Sequence, residues 1–365
     1  MSKGQPSQIV LVGGGHTHAL VLNALKSDPI PDAEITVINP GETAPYSGML
    51  PGFIAGHYTR NDLDIDLKTL CGSVGAKLID GRAIGMDTEK KCFILESGDE
   101  ITYDIASVDV GITSDMAMLS GFAQNAVPAK PLATFASRWD AFRASEGPKN
   151  VAIIGGGIAG AEIAMAMAFA LRTDPAEVSV KLLDRGKILS ANSKAAQKHV
   201  RRELSRNAVQ ILEDVNVVEV TPSGIVLEDG TSIPSNFIVG AAGASPHNWI
   251  KDTRLRLLNG FIEVDETLMT SAPKVFAVGD CAHMSFAPRP KAGVFAVRQA
   301  PILASNLRRI LSDERLQKYH PQTDYLKLVS LGGKRAFGEK SGWGFSGGLM
   351  WRMKDKIDRD FMAQF

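Results

Sequence analysis

Residues 9–18 read IVLVGGGHTH, and the fold turns on how this stretch is read. A run of branched and leucine side chains of strand length stops at Gly13, Gly14 and Gly15, and polar residues follow where a helix would begin. Strand, tight turn and helix is the arrangement that points helix amides at a pyrophosphate, with Gly13 allowing the turn and Gly15 letting phosphates approach the backbone. The third glycine of a full G-x-G-x-x-G is replaced by His18. The stretch alone therefore leaves dinucleotide binding and a plain glycine turn both open.

Working outward, an apolar helix over residues 19–25, a proline-broken loop and a strand over 35–38 complete a β-turn-α-β unit. Asn39 stands where such a unit usually carries an acid for the adenosine ribose, and an amide can make one or two of those hydrogen bonds. Residues 45–52, PYSGMLPG, form a compact apolar loop suited either to line a pocket, through Pro45 and Tyr46, or to pack on the surface. Short strands follow from 77 to 103 with a hairpin tip at 97–100, and a buried strand over 105–111 closes on Gly111. A crossover with Pro128 and Pro131 leads to a second start.

There, residues 151–154 make a strand and residues 155–162 read GGGIAGAE, a complete G-x-G-x-x-G through Gly155, Gly157 and Gly160. A strongly helix-forming run continues to Leu171, and the partner strand 178–183 ends at Asp184, an acceptor for the ribose hydroxyls of NAD. Asp184 would repel the 2′-phosphate of NADPH, with Arg185 beside it as a compensating charge, so NADH is preferred. A further hairpin region at 215–233 and a strand closing on Gly243 repeat the layout of the first unit. Residues 275–280, VFAVGD, end a third apolar strand at Gly279 and Asp280, a carboxylate placed to accept from a polyol.

Composition sets limits. The 365 residues suit two domains with an appendage, and 40 basic against 40 acidic side chains give no field that favours nucleic acid. Three cysteines without a C-x-x-C pair argue against a disulfide scaffold or zinc site and suit a reducing cytoplasm. Nowhere do about eighteen apolar residues run uninterrupted, and residues 9–12 are too short for a secretory core. His16 and His18 lack a nearby third ligand, so no metal is expected.

Taken together, Gly13 to Gly15, Gly155 to Glu162 with Asp184, and residues 270–280 resemble the pyridine nucleotide-disulfide oxidoreductase superfamily over most of the chain. Within it the GGGHTH start, the 46–52 loop and residues 293–300, GVFAVRQA, are similar to the NADH dehydrogenase-like flavoproteins, including modules fused to selenophosphate synthetase. These are relatives of type II NADH dehydrogenases and sulfide:quinone reductases. The resemblance implies an α/β fold of two Rossmann-like domains of the glutathione-reductase type. FAD would be held by residues 1–115 and 251–320 and NADH by 116–250, with 321–365 as a C-terminal extension.

It further implies that Gly13, Gly15, His16, His18 and Asn39 take the nucleotide part of FAD and Asp280 the ribityl hydroxyls, with Pro45, Tyr46, Gly111, Gly279, Gly293 and Val294 around them. Gly155, Gly157, Gly160, Asp184 and Gly243 would take NADH, or NADPH. Glu162 would lie near flavin and nicotinamide, although a carboxylate in the first turns of a helix is also an ordinary dipole partner. Amides starting near Gly293, with Lys291 or Arg298, would stabilise charge on the reduced flavin; the bland reading makes both cations superficial, and for Arg298 burial is expected.

Members that reduce disulfides carry a paired redox cysteine motif that this chain lacks, which argues against disulfide reduction, and Cys281 is expected to be a small buried hydrophobe. Gln299 echoes part of a quinone motif. At the C-terminus Met350, Met353, Ile357, Phe361 and Phe365 form an apolar stripe opposite Lys354, Asp355, Asp358 and Arg359. That helix suits its own domain, a twin subunit or the inner face of a membrane. The functional expectation is an FAD-dependent NAD(P)H dehydrogenase of the cytoplasm serving a quinone or other small acceptor. The alternative is a flavoprotein partner or sensor in sulfur or selenium metabolism without NADH turnover of its own.

Overall fold

The computed structural model describes residues 5–114 and 116–365. Strand β1 (Ser7–Val12) runs into helix α1 (His16–Leu25), and β2 (Ala33–Asn39) returns parallel to β1 with Ile9 opposite Ile35 and Val12 opposite Ile38. Strand β3 (Lys77–Asp80) joins the outer side of β2, and β4 (Ile105–Val108) pairs with β1 on the other side. Parallel strands covered on both faces read as continuous apolar runs. Ile9 and Leu11 point to opposite faces from Val10 and Val12, yet all four are buried.

The chain then leaves this sheet. Strand β5 (Val127–Pro128), helix α2 (Leu132–Ala144), β6 (Lys149–Ile154), helix α3 (Ile158–Leu171), β7 (Val178–Leu183), β8 (Gln210–Leu212) and β9 (Phe237–Gly240) build a second parallel sheet in the order β5-β9-β6-β7-β8. Strand β10 (Val275–Ala277) returns to the first sheet beside β4, completing the order β10-β4-β1-β2-β3. Helix α4 (Gly293–Leu311) packs on α1, where the Thr17 hydroxyl donates to the Ala296 carbonyl at 2.9 Å. The two sheets carry separate hydrophobic cores, one around Leu11, Val37 and Phe276 and the other around Trp139, Ile153 and Met165.

Both hairpin regions expected from the turn residues are antiparallel three-stranded sheets, at Ala83–Asp87, Cys92–Leu95 and Glu100–Thr102 and at Val217–Thr221, Gly224–Leu227 and Ser232–Pro234. Residues 77–80, read as part of the first hairpin region, belong instead to the parallel sheet. The reason is register: Ile79 lies opposite Ile38 at the open edge of β2.

The C-terminal part forms an antiparallel sheet of β11 (Lys327–Ser330), β12 (Ala336–Lys340) and β13 (Trp343–Gly347), followed by helix α5 (Gly348–Met362). The covered face of α5 takes in part of the apolar stripe and two of the charges expected opposite it. Its buried residues are Lys354, Asp358 and Phe361; Met350, Met353 and Phe365 are half-buried, and of the stripe only Ile357, at 44%, is exposed. Lys354 Nζ donates to the Gly48 carbonyl and to Asp358, each at 2.6 Å, so the buried charges are paired.

Candidate functional site

Three glycines from two strand ends converge on one acid. Gly13 takes φ +93°, and a β-carbon there would stand 2.3 Å from the Asp109 carbonyl oxygen. A β-carbon on Gly15 would lie 2.2 Å from Asp109 Cγ, and one on Gly279 2.3 Å from Asp109 Oδ1. The turn after β1, the end of β4 and the end of β10 therefore meet at backbone contact, which only glycine permits. They form the floor of a cleft of about 320 Å³.

Gly13, Gly15, His16, Asn39 and Pro45 line this cleft. So do Gly111, Gly279, Asp280 and Gly293. Four side chains expected at the cofactor, His18, Tyr46, Val294 and Lys291, are not in the lining of this cleft. His18 is fully buried, with Nδ1 2.7 Å from the Gly13 carbonyl and Nε2 2.8 Å from Ser107 Oγ, so both ring nitrogens serve the protein. Tyr46 stands behind the cleft, 5.1 Å from the His16 ring and stacked at 4.5 Å on Phe361, and its hydroxyl donates to Asp358. Val294, although it follows Gly293 on α4, is outside the lining. Lys291 also lies outside it: its ammonium donates to the Ala282 carbonyl and covers the Phe261 ring at 4.0 Å.

The ammonium that does enter the cleft is Lys130, paired with Asp280 at 3.2 Å. It was missed because its partner lies 150 positions away; the available signal was a single cation in the otherwise apolar residues 126–133. Asp109 was missed likewise, being a lone acid at the end of an apolar strand. Burial pushes its carboxyl up to about 7, against the pull of the Thr17 and His18 amides and with the Asp280 charge adding to the rise. Burial, with Lys130 beside it, holds the His16 imidazole down to about 4, so that ring is neutral in the cleft. Arg298, expected to be buried, is exposed, because it falls on the outer side of α4. Gln299 is the buried residue there, and its Oε1 accepts from Gly279 N at 2.7 Å, fixing the loop that carries Asp280.

The end of the neighbouring strand serves both glycine turns in the same way. Asn39 Oδ1 accepts from Gly14 N at 2.9 Å, and Asp184 Oδ2 accepts from Gly156 N at 2.6 Å. The Asn39 amide group is spent on the carbonyls of Gly41 and Thr43, and the second Asp184 oxygen takes Gly186 N. In the second turn a β-carbon on Gly160 would lie 1.9 Å from the Gly155 carbonyl, and Gly155 itself takes φ +118°. Gly157 caps α3 with open space before it. Gly243, at φ +75°, leads to Ser245, which exchanges 2.9 Å backbone hydrogen bonds with Thr113 and so joins the ends of the two units.

Glu162 points at neither glycine turn. Its Oε1 accepts from Ser330 N at 2.6 Å on β11. Burial pushes it up to about 7, opposed by the nearby Lys354 charge. Glu162, Lys354, Asp358 and Tyr46 thus form a polar group between α3, α5 and the 46–48 loop, ending at His16 on the cleft wall. Cys71, Cys92 and Cys281 are free and buried; Cys281 Sγ donates to the Val108 and Val278 carbonyls, and burial pushes its thiol up to about 12. Among the described residues no group of three or more His, Cys, Asp or Glu side chains could hold a metal, and no helix is long and apolar enough to cross a membrane.

The profile of the family described as pyridine nucleotide-disulphide oxidoreductase matches residues 7–300. Among curated relatives, the ferredoxin--NAD(+) reductase component of the p-cumate 2,3-dioxygenase system of Pseudomonas putida is 25% identical over 288 residues, 76% of this chain and 68% of that protein. The internal alternative NAD(P)H-ubiquinone oxidoreductase A1, mitochondrial, of Solanum tuberosum is 28% identical over 138 residues, 36% of this chain; the match spans only 28% of the Solanum protein's length. Among solved structures, the sulfide:quinone oxidoreductase of Aquifex aeolicus superposes with a TM-score of 0.78 at 17% identity, covering 98% of this chain and 91% of that one. That likeness is one of fold.

Proposed function

Because the chain belongs to the pyridine nucleotide-disulphide oxidoreductase family, we propose that it is an FAD-dependent NAD(P)H dehydrogenase that passes electrons to a quinone or another small acceptor. The observation that carries this reading is the cleft lined by the strand–glycine-turn–helix of Gly13 to His16 together with Asp280 and Gly293, where an elongated diphosphate can approach backbone amides. The residues present fit FAD. Gly13 to Gly15 and the start of α1 would hold the pyrophosphate, Asp280 the ribityl hydroxyls, and the α4 N-terminus at Gly293 the pyrimidine edge of the flavin. When bound, FAD supplies hydride acceptance and onward electron transfer.

The chain's own residues orient and protect. Gly155, Gly157 and Gly160 with Asp184 would bind NADH, the carboxylate of Asp184 disfavouring a 2′-phosphate. Lys130, rather than Lys291, places positive charge in the cleft, held there by Asp280. Glu162, with its carboxyl raised to about 7, can keep a proton at neutral pH and release it. Quinone reduction consumes protons as well as electrons, and a carboxyl that titrates near neutrality suits that need. The exposed side chains of Trp343, Phe345, Leu349 and Ile357 beside Arg352 and Lys356 suit peripheral contact with the membrane that stores such an acceptor.

The test is anaerobic titration of the purified yellow protein with NADH, followed by a panel of quinone, thiol, chalcogen and ferredoxin acceptors. Bleaching by NADH and reoxidation by a quinone is the expected result. A protein that holds FAD yet fails to bleach with NADH would instead be an electron carrier or sensor for a partner protein.

A further inference from the structure

We propose that Asp109 sets the FAD affinity of this chain by requiring a proton: its carboxyl shares the α1 N-terminus with the cofactor pyrophosphate, and the neutral acid is the form that admits FAD. The inference rests on the reading of the cleft as an FAD site. Asp109 Oδ2 accepts from Thr17 N at 3.0 Å and from His18 N at 3.2 Å, two of the amides that open the helix. A diphosphate drawn to that helix end would meet a carboxylate already seated on it. The acid cannot turn away, because Gly13, Gly15 and Gly279 enclose it at distances that exclude a single β-carbon, and Asp109 is only 3% exposed.

Charge decides between the two forms. Two like charges brought together in a water-poor site disfavour ionisation of the one that can accept a proton. A neutral carboxyl can keep accepting from the amides through one oxygen while donating its O–H to a phosphate oxygen. The proton comes from solvent and no bond other than O–H forms. With the carboxyl already raised to about 7 in the free protein, neutralisation is within reach near neutrality.

The groups facing Asp109 do not supply the same titration. His16 and His18 on α1 are both held down to about 4 by burial, and Cys281 beyond Gly279 is pushed up to about 12. His247, whose Nε2 lies 3.0 Å from the Val110 carbonyl, is also pushed below its usual value by burial. Asp280 and Lys130 are paired with each other.

The experiment measures FAD retained by the full-length holoprotein on ultrafiltration across pH, with calorimetry in buffers of different ionisation enthalpy to count protons. Wild type should bind FAD roughly tenfold more tightly at about pH 6 than at about pH 8, and take up close to one proton per FAD at the higher pH. Asp109→Asn, which keeps an oxygen for the amides, should bind FAD with little pH dependence and hold it at about pH 8. Wild-type affinity that is flat across this interval, binding without proton uptake, or an Asn variant with the wild-type slope would overturn the proposal. The proton count in wild type stands even where the Asn variant fails to fold. Absence of FAD binding at every pH would overturn the cofactor reading, and this inference with it.

Discussion

A histidine with no exposed surface must be neutral or paired, and burial keeps His18 neutral, its two ring nitrogens meeting the Gly13 carbonyl and the Ser107 hydroxyl. Burial lowers it from 6.5 to about 4. The unfolded chain therefore binds the proton first on acidification, so the stability contributed by the neutral ring is complete above about pH 6.5 and is lost as pH falls towards 4. The loss should approach about 3 kcal/mol. His18→Gln, measured by urea unfolding across that interval, should show a smaller acid-side loss; an unchanged slope would remove His18 as its source. At neutral pH His18→Ala should cost about 2 to 4 kcal/mol, from a cavity and from an unpaired Ser107 hydroxyl. The sequence showed that a histidine replaces the last glycine of the motif and that its ring could bond a phosphate or a backbone group. It could not show which, because Ser107 reaches it from a strand 89 positions away. Asp109 and Lys130 escaped notice for the same reason: neither carries a local motif, and each acquires meaning from a partner brought by the sheet.

Helices α1 and α3 were legible as elements because each follows a strand and a glycine turn, a local signal that sterics enforces. Helix α5 was legible as a helix, and Phe361 of its stripe is buried, but Lys354 and Asp358, read as outward, are buried beside it. An apolar stripe locates the whole covered face only when the floor is apolar; here the floor offers the Gly48 carbonyl, the Tyr46 hydroxyl and, close by, Glu162, so Lys354 and Asp358 turn inward alongside Phe361. Removing one member of the buried Lys354–Asp358 pair strands the other. Lys354→Met should lower stability by about 3 to 5 kcal/mol, whereas the double change Lys354→Met, Asp358→Leu should cost much less than the sum of the single changes. Additive losses in a thermal or urea double-mutant cycle would show that the pair is not coupled.

At the scale of the molecule, two parallel sheets built in succession, with β10 returning to the first, give the α/β architecture implied by the two glycine turns and the closing Gly279-Asp280. The order of motifs sufficed for this, since each turn must cap its own parallel sheet. The appendage was harder, because nothing local dictates where β11 to α5 dock. It leaves Trp343 75%, Phe345 64%, Leu349 73% and Ile357 44% exposed, four large apolar side chains within fifteen residues. Replacing Trp343, Leu349 and Ile357 together by serine should abolish co-sedimentation with vesicles of anionic lipid while moving the unfolding midpoint little; unchanged sedimentation would rule out this surface as the contact. Finally, the amide of the second glycine is satisfied in both halves from the neighbouring strand, by the uncharged Asn39 on Gly14 and by the charged Asp184 on Gly156. The two halves therefore hold their turns with one geometry and two charge states, so exchanging these residues within a single polypeptide separates what the hydrogen bond contributes from what the charge selects.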